Sequence, residues 1–454
     1  MRITTDGWIA GTAVVALAVL APIAALAVAA SGGTAEHWRH LAAYVLPEAV
    51  RVTAVLLAGV GLLSIALGTS TAWLVTAYEF PGRRVLAWAL LLPLTVPTYI
   101  VAYAYLDLLH PVGPFQTALR AVLGYDSPRQ FRLPDVRSMT GCIVLLGFVL
   151  YPYVYLTTRA MFLMQAANLM DVARTLGVGR RALFWRVALP LARPAVAVGA
   201  SLALMEALND IGASEFLGVR TLTVSIYTTW ITRVDLAGAA QIALAMLAVV
   251  VGLVLVERWG RQQRRYANDA QQPRPLAPHR LRGPAGLGAL AAGAVPVVVG
   301  FVVPTAYLVH ATVVRLEFAG LSPQILREAS VTVALALAAT AITVGLGVMV
   351  VYAQRIRRGW WPPLAGRIAA LGYAVPGTVL AIGLLPVITG VDGLIDTAAT
   401  WAAGVSTGLL LLGSGAALIY AYVVRFLAVG AGGVEAAGGD QHGVLEEGAV
   451  VGQQ

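Results

Sequence analysis

The chain has 454 residues, of which 59% are hydrophobic and only 12% charged. Soluble domains carry roughly 25% charged residues, so a soluble globular protein is excluded. A β-barrel is excluded too, because the apolar runs are continuous rather than alternating. The net charge is +9, and all 31 basic residues are arginine. The arginines gather in short segments between apolar runs, which fits cytoplasmic loops rather than nucleic-acid binding. A phosphate-binding P-loop requires a lysine. The chain has none, so it carries no ordinary ATP-hydrolysing site of its own.

Apolar runs of membrane-spanning length are predicted near 8–30, 50–77, 85–107, 138–163, 194–217, 236–256, 286–312, 327–353, 367–390 and 402–427. The first is longer than a signal-peptide core and reads as a retained span, although the AVAAS that ends it is also compatible with cleavage. Arginine-rich segments at 78–86, 164–193, 257–285 and 354–366 alternate with poorer ones, which places them and the N-terminus in the cytoplasm. Cys142 lies inside an apolar run and reads as packing, and the six histidines show no metal-ligand spacing. No cofactor is expected.

Residues 257–285 are rich in Gln, Pro and Arg and read as a basic linker between two membrane halves. VTAVLLAGVGLLSIALG from Val52 pairs with VTVALALAATAITVGLG from Val331 at a constant offset of 279, as far as Val96-Pro97 and Val375-Pro376. Beyond a shorter outer loop the offset becomes 266, pairing Leu145-Leu146-Gly147 with Leu411-Leu412-Gly413 and Arg159 with Arg425. Six spans separate paired elements, so the repeats are parallel. The expected architecture is all-α and polytopic: a first half over 1–256, the linker over 257–285, and a second half over 286–430. Pro93, Pro97, Pro376 and Pro386 are expected to kink their spans.

Between the fourth and fifth spans runs DVARTLGVGRRALFWRVALP, residues 171–190. Its pattern is Asp171, Ala173, Gly177, Val187, Leu189, Pro190. This resembles the EAA loop of bacterial importer permeases of the ATP-binding-cassette class, with Asp171-Val172-Ala173 in place of Glu-Ala-Ala. Each residue suits a docking element. Asp171 favours a helix start, Ala173 permits close approach, Gly177 lets the chain reverse, and Pro190 stops the short helix. The resemblance implies that this segment sits in a groove of a separate ATPase subunit and transmits its closure to the spans. An interfacial helix held by lipid head groups is the alternative.

The next span, SLALMEALNDIGASEFLGV, carries Glu206, Asp210 and Glu215. Together with TLTVSIYTTW it resembles the fused two-half permeases of ferric-iron importers. Glu206 and Asp210, four apart, are expected on one helical face. Carboxylates at membrane depth face a cavity or a partner, and hard cations prefer oxygen, so these residues are candidates for the substrate path. An Arg partner or a helix cap is the structural alternative. The resemblance implies a bacterial inner-membrane subunit that is not an enzyme. Its partners would be ATPase subunits, a periplasmic binding protein and the bilayer. Thiamine, phosphonate or polyamine cargo, a proton-coupled secondary transporter and an inactive truncated permease remain open.

The offset of 266 would put a second docking loop at Ala437 and Gly443. GGVEAAGGDQHGVLEEGAVVGQQ has neither that spacing nor a further span. The second half is therefore expected to be incomplete, through truncation or a frame shift near residue 430, with 431–454 an aberrant or disordered tail.

Overall fold

The computed structural model describes residues 5–164, 179–262, 278–356 and 360–451. They are almost entirely helical. In hydrocarbon every backbone N–H and C=O must be satisfied within the segment, and a helix does this for a continuous apolar run. The helices used below are α1 (Thr5–Ser31), α2 (Leu46–Ala77), α3 (Arg83–Ala89), α4 (Thr98–Leu108), α5 (Pro114–Leu123), α6 (Met139–Met164), α7 (Leu189–Asn209) and α8 (Gly212–Phe216). They continue with α9 (Leu236–Gln262), α10 (Pro284–Val297), α11 (Val303–Ala319), α12 (Pro323–Ile356), α13 (Trp361–Ala374), α14 (Gly377–Ala403) and α15 (Gly415–Val451). Among the described residues eight helices are long and apolar enough to cross a membrane, or nine if the bent pair Arg83–Thr95 and Thr98–Leu108 is one span. Leu236–Gly252 is a shorter apolar helix.

Two compact units form, and each draws on both sides of the linker. One comprises Tyr44–Ser225 and Val251–Gly320; the other comprises Met1–Ala43, Ile226–Val250 and Leu321–Gln454.

The first unit is built on α2, α6 and α7. Gly68 lets α2 and α6 touch: a Cβ there would lie 2.6 Å from Val154 Cβ and 2.8 Å from Tyr155 N. Small residues at such crossings are how membrane helices gain packing when lipid is as apolar as the core. One buried cluster gathers Leu56, Val60, Leu146, Ala203, Ala207 and Leu217. A second gathers Trp73, Leu90, Tyr151, Tyr155, Phe162 and Leu183. Tyr78–Glu79 pairs in parallel with His279–Arg280, a two-residue bridge that ties the end of the linker to the end of α2.

The bent pair turns through 90°. Proline explains it. Val96, preceding Pro97, is extended at φ −106° and ψ 124°, because the proline ring disfavours the helical region for the residue before it. In the other unit Val375, before Pro376, is extended at φ −79° and ψ 124° and separates α13 from α14 in the same way. Pro386 instead lies inside α14.

The second unit packs α1 along α14 and α12 along α15. The Tyr420 hydroxyl donates to Ala18 O at 2.6 Å, and Trp361 Nε1 to Thr12 Oγ1 at 3.2 Å. Asp392 and Asp396, one turn apart on α14, hold the following loop. Buried Asp392 accepts from Leu411 N at 2.8 Å and Leu412 N at 3.1 Å; Asp396 accepts from Ser406 Oγ and Thr407 N, each at 2.7 Å.

This corrects the second pairing offset. Leu411-Leu412-Gly413 is a turn held by Asp392, whereas Leu145-Leu146-Gly147 lies within α6. Gly68 lies against Tyr155, so the offset of 266 would place Gly347 against Ala421. Gly347 instead lies against Gly430 and Ala431. The fixed turn delays the start of α15 to Gly415, so α15 meets α12 at about the chain separation at which α6 meets α2.

Candidate functional site

Asp171, Ala173 and Gly177 lie outside the described residues. Val187, Leu189 and Pro190 are described, and they show how the end of the 171–190 segment joins α7. Phe184–Ala188 is a turn of wide helix in which Leu189 N reaches back five residues to Phe184 O. Pro190 does not stop the short helix: the chain runs helically from Arg180 through the wide turn into Leu189–Asn209. Pro190 has no N–H to donate and its ring crowds the carbonyl four residues before, which favours a widened turn just ahead of it.

The segment is amphipathic. Leu183 and Ala188 are fully buried, with Phe184 and Val187 packed against the same cluster. Trp185 and Arg186 point away and are exposed. The Phe184 ring is 5.3 Å from the Trp73 ring, and Trp73 is 5.3 Å from Phe162. Ring pairs at this range attract through their quadrupoles beyond simple burial.

From that cluster two tyrosines reach the short helix α3. The Tyr155 hydroxyl donates to Ala87 O at 2.7 Å, and the Tyr151 hydroxyl to Leu90 O at 3.0 Å. Both carbonyls sit at the C-terminal end of α3, where no intrahelical partner exists. Arg83, at its other end, donates from Nε to Val75 O at 2.6 Å and pairs with Glu79. An unbroken set of contacts therefore runs from Leu183 and Phe184, through α2 and α6, to the arm that leads into the proline elbow.

At the elbow the carboxylates enter. The Thr98 hydroxyl, on the first residue of α4, donates to Asp210 Oδ2. Asp210 Oδ1 accepts from Ala213 N at 2.7 Å and Ser214 N at 3.3 Å. Asp210 thus satisfies the free N–H groups at the start of α8 and ties them to α4, a capping arrangement. It does not share a helical face with Glu206. α7 ends at Asn209, and Asp210 is extended at φ −74° and ψ 112°. Glu206 is half-buried on α7, and Glu215 is exposed in the first turn of α8. Among the described residues no group of three or more His, Cys, Asp or Glu side chains is placed to hold a metal ion.

Sequence reasoning passed over Trp73, Tyr151, Tyr155 and Thr98. Thr98 alone carried a local signal, as a hydroxyl directly after a proline break. Outward from α4 lies a cavity of about 440 Å³ lined by Tyr103, Asp107, His110, Arg132, Asp135 and Arg137.

Residues 64–265 match the family model of the binding-protein-dependent transport system inner membrane component. The chain is 28% identical over 204 residues to the molybdenum transport system permease protein ModB of Escherichia coli, covering 44% of this chain and 86% of that relative. It is 25% identical over 272 residues to the sulfate transport system permease protein CysT of Synechocystis, covering 58% and 91%. It is 24% identical over 345 residues to the Fe(3+)-transport system permease protein FbpB 2 of Haemophilus influenzae, covering 75% of this chain and 63% of that relative. The stretch that holds residues 171–190, the aromatic cluster and all three carboxylates thus falls within the similarity to an inner-membrane component of binding-protein-dependent transport systems.

Proposed function

We propose that the chain is the membrane permease subunit of an ATP-driven importer in a bacterial inner membrane, with its N-terminus in the cytoplasm. A separate ATPase subunit hydrolyses ATP, and a periplasmic binding protein delivers the cargo. The observation that carries this reading is the connected path from the 183–190 segment to the elbow at Pro97. ATPase closure pushes the segment 171–190. Leu183 and Phe184 press on Trp73 and Phe162, Tyr151 and Tyr155 carry the displacement to α3, and α4 swings about the elbow. Glu206 and Glu215 are candidates to meet the cargo, and Asp210 holds α8 to α4 while they do.

Ferric iron is the proposed cargo. The ferric-iron relative is similar over 345 residues, longer than residues 1–256 before the linker, so the similarity extends into both halves. An oxyanion is the second reading, favoured by the molybdenum and sulfate relatives, which are similar over 204 and 272 residues. Proteoliposomes holding the chain, its ATPase and its binding protein distinguish them. ATP-dependent accumulation of iron, with none of molybdate or sulfate, supports the first reading. Accumulation of either oxyanion alone replaces it with the second. Uptake that persists without the ATPase and collapses with the proton gradient overturns the importer reading.

A further inference from the structure

An apolar groove of about 660 Å³ runs between α12 and α15 in the unit that contains them. Its walls carry small side chains, among them Thr332, Ala336, Thr340 and Thr343 from α12 and Gly430 and Gly433 from α15. The threonine hydroxyls spend their donors on their own helix: Thr332 on Glu328 O, Thr340 on Ala336 O, Thr343 on Ala339 O. Along α12 these threonines therefore present methyls, and α15 faces them with Leu418, Tyr422, Phe426 and Val429 beside its glycines, an apolar lining that suits a seated helix.

The internal repeat shows what occupies the same place elsewhere in the molecule. In the unit containing α2 and α6, their groove is filled by α7. Two contacts mark that seat. A Cβ on Gly61 of α2 would lie 3.2 Å from the Leu204 side chain of α7, and a Cβ on Gly199 of α7 would lie 2.6 Å from Val154 of α6. At the offset of 279, Gly61 corresponds to Thr340. The contact register of α15, in which Gly347 meets Gly430 as Gly68 meets Val154, matches Val154 to Gly430. Both markers fall on the lining of the open groove. Burial changes to match. Thr53 is buried on α2 and accepts from Leu222 N at 2.9 Å, whereas its counterpart Thr332 is exposed. Gly61 is buried, and its counterpart Thr340 is exposed.

We propose that this groove is the seat of a transmembrane helix from a partner polypeptide. That helix is apolar and carries small residues at four-residue spacing on its seated face, as Gly199, Ala203 and Ala207 are spaced on α7. The inference needs only membrane embedding, and stands or falls separately from the cargo and from the ATPase.

The test uses the full chain with Cys142→Ala and a single new cysteine. The probe is a co-expressed, tagged single-span peptide of residues 189–209 carrying Leu204→Cys, recovered in the membrane fraction. Oxidative cross-linking to Thr340→Cys, and to Ala336→Cys as a second site, is expected at about fivefold or more over Val333→Cys, which is exposed outside the groove. Gly199→Leu in the peptide is expected to remove that excess. Equal cross-linking at Val333→Cys, or none anywhere, means the groove is a lipid-facing surface and overturns the proposal. Disulfide-linked dimers of Thr340→Cys chains in place of the peptide adduct mean that a second copy occupies it, and overturn it equally. An adduct found at Gly61→Cys but not at Thr340→Cys, with α7 displaced from its own seat, overturns it as well.

Discussion

Trp73 is the residue on which the proposed transmission path most depends. It is 9% exposed and sits between the rings of Phe162 and Phe184, each 5.3 Å away. Trp73→Ala removes a buried aromatic, a change that costs about 3–5 kcal/mol in well-packed cores. Each lost ring pair is worth about 0.5–1.5 kcal/mol of coupling. For a unit of roughly 250 residues, about 2 °C per kcal/mol puts the loss near 6–10 °C. The single thiol, Cys142, is fully buried, so a thiol-reactive fluorophore reports unfolding without relying on tryptophan emission. Trp73→Phe keeps a ring in place and is expected to recover most of the stability. The coupling part is read from a double-mutant cycle of Trp73→Ala and Phe184→Ala, scored on ATPase stimulation by cargo-loaded binding protein. An interaction of about 0.5–1.5 kcal/mol, or two- to tenfold, is expected. A Trp73→Ala protein that melts with wild type would refute the packing argument. A strictly additive cycle would refute transmission through this ring pair.

Gly68→Leu drives a side chain into Val154 and the backbone of Tyr155. It is expected to cost at least about 1–3 kcal/mol and to lower the yield of folded protein in detergent; an unchanged melting point would show that α2 and α6 do not cross there. Asp210→Ala removes the acceptor of Ala213 N, Ser214 N and the Thr98 hydroxyl. A loss of about 0.5–2 kcal/mol is expected, with Asp210→Asn milder because its amide oxygen still caps. If Asp210→Ala melts normally and only uptake falls, the residue serves the cargo rather than the cap. Asp392→Ala leaves Leu411 N and Leu412 N without their acceptor. Each orphaned group costs about 1–3 kcal/mol, so limited proteolysis is expected to open the loop between α14 and α15 first.

Much of the fold was legible because lipid allows a continuous apolar run few alternatives to helix. The Val-Pro pairs pointed to both breaks in the same way, since proline disfavours helix at the residue before it, whereas Pro152, Pro194 and Pro386 lie inside helices. The register of α15 was not legible. Identity of Leu-Leu-Gly in two places suggested one pairing, yet a buried carboxylate nineteen residues upstream, Asp392, claims the amide of Leu411 and turns that tripeptide into a loop. The site divided along similar lines. Val187, Leu189 and Pro190 were singled out by the resemblance to the EAA loop, and local chain chemistry accounts only for the widened turn ahead of Pro190. Trp73, Tyr151 and Tyr155 look in sequence like ordinary span residues, and their role depends on α2 and α6 meeting α3 and the 183–188 turn. Asp210 shows a further gap. Its four-residue spacing from Glu206 predicts a shared face only while the helix continues, and α7 ends one residue earlier.

The central claim is that residues 171–190 dock a separate ATPase and drive the spans. The most direct measurement is co-purification and ATPase coupling of that subunit with the chain carrying Gly177→Trp, beside Trp185→Ala on the exposed face of the described half. The account predicts that Gly177→Trp releases the ATPase from the membrane fraction while the chain keeps its wild-type melting point. An ATPase that stays bound and remains stimulated by cargo-loaded binding protein would contradict it.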